Sequence, residues 1–574
     1  MNKSVGDNLK KWVAYNKNYS NLEMLMHKLN VSEITARLLI NRNINTFYDA
    51  EIFMNPDIKY LHNPYEMKDI MNAVYRIEKA LKEKEKICIY GDYDVDGITS
   101  VAMLYRFLKK HDGNVIYYIP NRIDEGYGLN SDAINKITDM DVDLIITVDC
   151  GIKSIREVKQ INESGIDIII TDHHECGDTL PDAYAIINPN QDKCEYAFKH
   201  LAGAGVTFKL ICALSDKLGY KNEALEFIDL TALATVADVV PLIGENRIIV
   251  RNGLEAIRQT SNIGLNALME VCGINQNDID SYHLGFILAP RINAAGRVKD
   301  ANIAVELLTT DDKDRAYEIA KELDESNSYR QTIENNIIES ANSIIKKDID
   351  IDSDKIIVID NTSWHVGVIG IVASRITEKY NLPAIVISVE DDIGKGSARS
   401  IPGFNIYEAI SKCEDLIEKF GGHELAAGVT IRKENINPFR KKINQVSIEM
   451  LQDKVLYPEL NIDYKLDNKD VLIKVLEEIE ILKPFGAGNP VPLFVYRSLK
   501  VTDIRTVGNN NKHLFLYLND GKNSTSAIGF NFGYMINHIA VNQKIDIICS
   551  VEKNVWNGAV NAQLHIKDIR LPKS

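Results

Sequence analysis

Residues 87–100 read ICIYGDYDVDGITS. An apolar run ends at Gly91, and Asp92, Asp94 and Asp96 follow at every second position. In an extended chain, side chains two apart share a face. Carboxylates about 5 Å apart repel by roughly 3 kcal/mol at an effective dielectric of about 20. Two later apolar runs end in the same kind of chemistry: DLIITVDCG reaches Asp149, and DIIITDHH reaches Asp172, His173 and His174. Further on, LTALATVADVVPL is interrupted by Asp238, and a lone acid in an apolar stretch needs a partner. Divalent cations would supply that partner and relieve the repulsion. An oxygen-rich donor set with one imidazole suits Mn²⁺ or Mg²⁺ better than zinc. With this many carboxylates, two ions are expected rather than one, and paired ions are a common device for hydrolysing phosphodiesters.

Such residues need a frame that brings them together. The sequence predicts repeated βα units. KICIY (86–90) precedes a helix-patterned SVAMLYRFLKK (100–110), and NVIYYIP, DLIITV, DIIIT and AYAIINP follow as further strands. These runs are apolar throughout, as strands buried on both faces are. The expected fold is therefore α/β with a doubly wound parallel sheet. In such sheets ligands sit beyond the carboxyl ends of the strands, so the acids should converge on one crevice.

The remaining chain divides by pattern. Residues 1–85 read as mostly helical. Val298 to Val366 contains neither glycine nor proline, and 311–347 reads as one long helix between lobes. KIIVID and AIVIS flank a helical GVIGIVASRITEKY, which predicts a second α/β unit. Short strands and Asn/Gly turns after about residue 450 predict a small β-barrel. The expected divisions are 1–310, 311–350, 351–448 and 449–574.

Length and composition agree with a multidomain soluble protein. A chain of 574 residues exceeds what one core supports. No apolar run approaches the roughly 20 residues needed to span a membrane, and the first 20 residues lack a signal-peptide core. A cytoplasmic protein is expected, and its eight scattered cysteines, none in C-x-x-C, read as reduced thiols. The net charge of −15 argues against a general positive coat for duplex DNA. It leaves room for a local groove that grips nucleic acid.

Rival readings of the motifs fail on spacing. A calcium loop starting at Asp92 needs an acid at its twelfth position, which is Met103, and a strand precedes it rather than a helix. GKGSARS lacks P-loop spacing, and GAGVTF breaks the dinucleotide fingerprint at Phe208. HHEC (173–176) offers zinc donors without a second cluster to complete four.

In order, YGDYDVDG, VDCG, TDHH and VADVVPL resemble the DHH phosphoesterase superfamily. PNRIDEGYGL, APRINAAGR, WHVGVIGIVASR, GSARS, GGHELAAG and KPFGAGNPVPLF are similar to its RecJ branch, single-strand-specific 5′→3′ exonucleases. The resemblance implies a DHH domain, a DHHA1 domain and a C-terminal OB-like barrel. It implies two divalent cations held by Asp94, Asp96, Asp149, His173 and Asp238, with Asp149 between them. Asp92 would support these ligands or help hold the second ion. His174 would face the scissile phosphate, and Asp172 would orient its loop. Ser397 and Arg399, with Arg122, would form a 5′-phosphate pocket; arginine's fork suits phosphate. His423 lies among small residues, where backbone can approach a ligand. Tyr127 would stack a base, and Arg291 and Arg297 would contact the strand's backbone or pair an acid at the metal site. Phe515, Tyr517 and Phe530 are candidate base-stackers, although barrel aromatics ordinarily fill the core. The implied partners are single-stranded DNA, single-strand-binding protein and a RecQ-type helicase, with the chain acting as a monomer in recombination and repair.

Overall fold

The computed structural model describes residues 10–121, 125–126, 128–298, 300–351, 353–451, 457–556 and 559–571. Arg122 and Tyr127 lie outside the described residues. The chain opens with a short strand, β1 (Lys11–Ala14), followed by helices Leu22–Leu29, Glu33–Asn41 and Phe47–Met54.

The apolar runs build one five-stranded parallel sheet. Its strands are β2 (Lys86–Tyr90), β3 (Asn114–Tyr118), β4 (Leu144–Val148), β5 (Asp167–Thr171) and β6 (Ala185–Ile187), in the order β3-β2-β4-β5-β6. Side chains alternate between two cores. Ile87, Ile89, Leu144, Ile146 and Val148 enter one with helices Val95–Lys110 and Gly203–Leu218. Cys88, Tyr90 and Ile145 enter the other with helices Ser131–Thr138 and Ile155–Glu163. That two-sided burial is why these strands lack a polar face. From β2 the chain moves first to β3 on one side and then to β4 on the other. The order therefore reverses between β2 and β4, which opens a crevice at their carboxyl ends.

Helix Lys313–Asp348 is 36 residues long, about 54 Å at 1.5 Å per residue. Asp312 caps it by accepting from the amides of Asp314 and Arg315. Its first half packs into the first lobe through Ile319 and Leu323, and its second half into the second lobe through Ile337 and Ile345. It is thus a strut shared by both lobes.

The second lobe holds β7 (Ile357–Asn361), β8 (Ala384–Glu390), β9 (Ile393–Arg399), β10 (Lys419–His423) and β11 (Ala426–Arg432), in the order β10-β11-β9-β8-β7. Only β7 and β8, the two strands expected from the sequence, are parallel; the other pairings are antiparallel. The three additional strands carry GSARS and GGHELAAG. Their glycines and alanines have little strand propensity, so tertiary pairing makes them strands.

β12 (Glu459–Ile462) pairs in parallel with β1. β13 (Tyr464–Leu466), β14 (Phe494–Val507), β15 (His513–Asn519), β16 (Ser524–Gly529), β17 (Lys544–Trp556) and β18 (Ala559–Arg570) follow. Pairing of β14 with β17 closes β14-β15-β16-β18-β17 into a five-stranded barrel. The early helices share this barrel's core: Leu25, Leu38 and Leu39 pack in one cluster with Leu476, Leu516 and Ile547. The sequence reading grouped these helices with the first lobe. Their apolar stripes are instead covered by the opposite end of the chain. Buried Arg247 ties the pieces together by donating to the carbonyls of Phe53, Lys483 and Pro484.

Candidate metal centre

Asp92, Asp94 and Asp96 leave the end of β2, where the chain turns into helix Val95–Lys110. Asp94 caps that helix, accepting from the amides of Asp96 at 2.9 Å and Gly97 at 3.1 Å. Asp149 follows β4 with φ +62°, a left-handed backbone that few side chains adopt and aspartate tolerates better than most. Asp172, His173 and His174 follow β5, and Asp238 ends helix Ile228–Ala237.

These residues meet in the crevice. Donor atoms of Asp92, Asp94 and Asp149 lie within 4.8 Å of one another, as do those of Asp96, His173 and Asp238. A third group joins Asp149 to His173 and His174. His173 Nε2 lies 3.2 Å from Asp149 Oδ1, 3.7 Å from Asp238 Oδ2 and 3.9 Å from Asp96 Oδ2. Asp149 therefore stands between the two acidic groups.

The electrostatics fit divalent cations. Burial, then repulsion from Asp94, raises the Asp96 carboxyl to about 7. Burial and the charges of Asp96 and Asp94 raise Asp238 to about 9, and the same causes push Asp149 well above the usual range. Burial and the neighbouring His174 charge hold the His173 imidazole down to about 4, so it is neutral and ready to act as a ligand. Four or five carboxylates with one neutral imidazole make a donor set for Mn²⁺ or Mg²⁺.

Asp172 does different work. It accepts from the amides of Ile152, His173 and His174 and from His174 Nδ1 at 2.7 Å. Burial pushes Asp172 up, but these bonds and the His174 charge outweigh it and keep it ionised. Burial would lower His174, yet its bond to Asp172 and that carboxylate's charge raise it above its ordinary value. His174 is accordingly a half-exposed imidazole at the rim whose charged form Asp172 favours.

The sequence reading missed one supporting element. Helix Gly203–Leu218 points its first amides at Asp96: Gly203 N–H donates at 2.7 Å and Ala204 N–H at 2.8 Å. A Cβ on Gly203 would lie 2.5 Å from Asp149 Oδ1. GAGVTF failed as a nucleotide fingerprint, but its glycine before a helix was the available signal for close approach. Gly203→Ala is expected to lower kcat about 10–100-fold by displacing Asp149, with the fold retained; turnover and circular dichroism together check this.

The phosphate-binding candidates fall into three places. Ser397 and Arg399 share a cleft of about 670 Å³ with Arg297, Lys395, Gly367 and Gly370, between the two lobes. Arg399 Nη1 donates to Ser397 Oγ at 3.1 Å, and Arg297 Nη1 to the Gly367 carbonyl at 3.2 Å. His423 is exposed and in register with Arg399 through Ala426. Arg291 pairs with an acid, but with Asp324 of the long helix at 2.8 Å rather than one of the cluster.

A family model described as DHH family, N-terminal domain, matches residues 86–235, and a DHHA1 domain model matches 353–449. Fold and site thus define a protein of the DHH class with a DHHA1 lobe. A RecJ OB domain model matches 462–568. The single-stranded-DNA-specific exonuclease RecJ of Bacillus subtilis is 37% identical over 560 residues, covering 97% of this chain and 70% of that protein. The protein of the same description from Haemophilus influenzae is 35% identical over 88% of this chain and 91% of its own. The crystal structure of RecJ in complex with Mn²⁺ from Thermus thermophilus superposes with a TM-score of 0.85 at 30% identity, covering 99% of this chain and 80% of that one. The Mg²⁺ complex of RecJ from the same organism gives 0.79 at 29% identity, covering 98% and 79%. The chain belongs to the RecJ family.

Proposed function

We propose that the protein is a single-strand-specific DNA exonuclease that releases mononucleotides from 5′ ends, using two divalent cations. One observation carries the reading: Asp149 groups with Asp92 and Asp94 on one side and with His173, itself grouped with Asp96 and Asp238, on the other, at the carboxyl ends of a parallel sheet. The names of its relatives support the substrate, and the Mn²⁺ and Mg²⁺ complexes of the Thermus protein support the cations.

Asp94 and Asp149, with Asp92 nearby, would hold one ion, and Asp96, Asp238 and His173 would hold the other, with Asp149 placed to serve both. When bound, such a pair activates water and neutralises charge on the scissile phosphate. The chain's own groups do the rest. The Gly203 and Ala204 amides fix both oxygens of Asp96. His174, whose charged form Asp172 favours, donates to a non-bridging phosphate oxygen. Ser397, Arg399 and Arg297, with Arg122, receive the 5′ phosphate, which sets a one-nucleotide distance to the reacting bond. This pocket gives the 5′→3′ direction. The family resemblance implies work in recombination and repair beside single-strand-binding protein and a RecQ-type helicase.

The test is digestion of single strands labelled at either end, with Mn²⁺, Mg²⁺ or chelator. Early release of 5′ label as mononucleotide is expected, with none under chelator. Early loss of 3′ label would reverse the polarity, and no release with Mn²⁺ would remove the enzyme. In the same assay Arg399→Ala should slow 5′-phosphorylated strands roughly 10–100-fold and 5′-hydroxyl strands much less. Equal slowing of both would refute the pocket.

A further inference from the structure

The cleft that holds Ser397 and Arg399 is larger than one phosphate requires. At about 670 Å³ it falls within the roughly 300–1,000 Å³ of cavities that take whole small molecules. Among the described residues it is lined by four cations, Arg297, Arg375, Lys395 and Arg399, against one carboxylate, Glu378. A terminal phosphate carries about −1.5 to −2 near neutral pH, which leaves roughly one positive charge unmatched.

The segment GKGSARS, which failed as a P-loop, shows how the cleft is extended. Along β9, Gly394, Gly396 and Ala398 face one way and Lys395, Ser397 and Arg399 the other. Ala398 lies in the core of the second lobe, and a Cβ on Gly394 or Gly396 would come 2.8 or 3.1 Å from Ile387. The lysine, serine and arginine therefore form a row that lines the cleft, about 6.6 Å apart along the strand. Gly370 marks one end of the row: a Cβ there would lie 3.2 Å from Ser397 Oγ and 3.3 Å from Arg399 Nη2. Lys395 stands one step past Ser397. Arg375 stands five residues past Gly370 on helix Ile369–Tyr380, about 7.5 Å along its axis. Arg375 pairs with buried Glu334 of the long helix, but Arg330 pairs with the same carboxylate at 2.7 Å, so the trio keeps a positive charge. Positive charge thus continues beyond Ser397 and Arg399, on a strand and on a helix.

We propose that this cleft takes strand ends bearing a 5′ triphosphate as well as a monophosphate. The phosphate next to the sugar sits on Ser397 and Arg399, and the outer two reach Lys395 and Arg375. The added phosphates supply negative charge for the remaining cations. The reacting bond is unchanged. Water gives its hydroxyl to the phosphorus of the second nucleotide, the bond from that phosphorus to the first nucleotide's 3′ oxygen breaks, and that oxygen takes the proton. The first product is then a nucleoside 5′-triphosphate, and later products are monophosphates. The proposal rests on the exonuclease reading and names a class of ends that this reading leaves open.

The experiment uses one single strand with a 5′ monophosphate or a 5′ triphosphate, in Mn²⁺. It measures kcat/KM for release of the first nucleotide and identifies that product by ion-exchange chromatography. Wild type should cleave the triphosphate end no more slowly than the monophosphate end and release a nucleoside triphosphate. Lys395→Ala and Arg375→Ala should each lower the triphosphate-to-monophosphate ratio about tenfold, and Lys395→Arg should restore it. The proposal is overturned if wild type cleaves the triphosphate end more slowly, if its first product is a monophosphate, or if both alanine variants leave the ratio unchanged. If wild type degrades neither strand, the exonuclease reading fails and calorimetry on metal-free protein decides the cleft. Inorganic tripolyphosphate should then bind more tightly than inorganic phosphate, and Lys395→Ala should narrow the gap; equal affinities would remove the outer phosphate positions.

Discussion

Asp149→Ala is expected to lower the cleavage rate by roughly a thousandfold or more while single strands remain bound. Asp149 is the residue whose donor atoms fall in groups with Asp92 and Asp94 on one side and with His173 on the other. On the two-ion reading proposed above, removing it would take a ligand from both ions. The cationic cleft around Arg399 is built from other residues, so affinity should change little. Alanine adapts poorly to φ +62°, whereas asparagine accepts it. Asp149→Asn is therefore the companion variant: equally inactive, with the backbone undisturbed. Single-turnover cleavage and fluorescence anisotropy check both, and wild-type turnover by either would refute the shared-ligand role.

The second large effect is on stability. Metal-stripped protein should lose stability between about pH 6.5 and 9, and Mn²⁺ should restore it. Asp96 at about 7, Asp238 at about 9 and Asp149, pushed up by the same causes, all lie above the ordinary 3.8. A carboxyl raised in the folded state stabilises that state below its unfolded pKa, and the contribution disappears as pH rises through the folded value. Each proton retained only by the folded state gives a slope of roughly 1.4 kcal/mol per pH unit. His174, raised above 6.5, acts in the same direction. His173, lowered to about 4, acts oppositely, but only below its ordinary 6.5, so the window above that value is clean. Mn²⁺ at about 100 times its dissociation constant adds about 2.7 kcal/mol. Thermal melts across this range, with and without Mn²⁺, measure it. A metal-stripped protein whose Tm is flat with pH, or a Tm unmoved by Mn²⁺, would contradict the centre.

Much of the site was legible because its signals are local. An apolar run that stops at or is broken by a carboxylate is visible in five or six residues, and this picked out Asp92, Asp94, Asp96, Asp149, Asp172, His173, His174 and Asp238. All but Asp172, which holds His174 instead, fall in at least one of the three donor groups. The long helix was equally clear, since its pattern is uninterrupted by glycine or proline. Other features left little trace. Nothing in the composition of GSARS and GGHELAAG announces β9, β10 and β11. Phe515 and Tyr517 read as candidate base-stackers with barrel core as the ordinary alternative; Leu514, Leu516 and Leu518 occupy the interior and the aromatics point outward. Arg291 was a strand contact or a partner for a site acid, and its actual partner Asp324 lies on the connecting helix.

By itself the sequence determined the kinds of groups available and the α/β frame that carries them, since residue type and hydrophobic period are properties of short segments. Which groups meet was decided by the tertiary structure. The reversal of strand order between β2 and β4 places Asp149 beside the acids of DYDVDG, and the N-terminus of a later helix fixes Asp96. The first helices join the barrel across more than 400 residues of chain. Such meetings depend on burial shared between distant segments, and no single segment encodes the surface that will cover it.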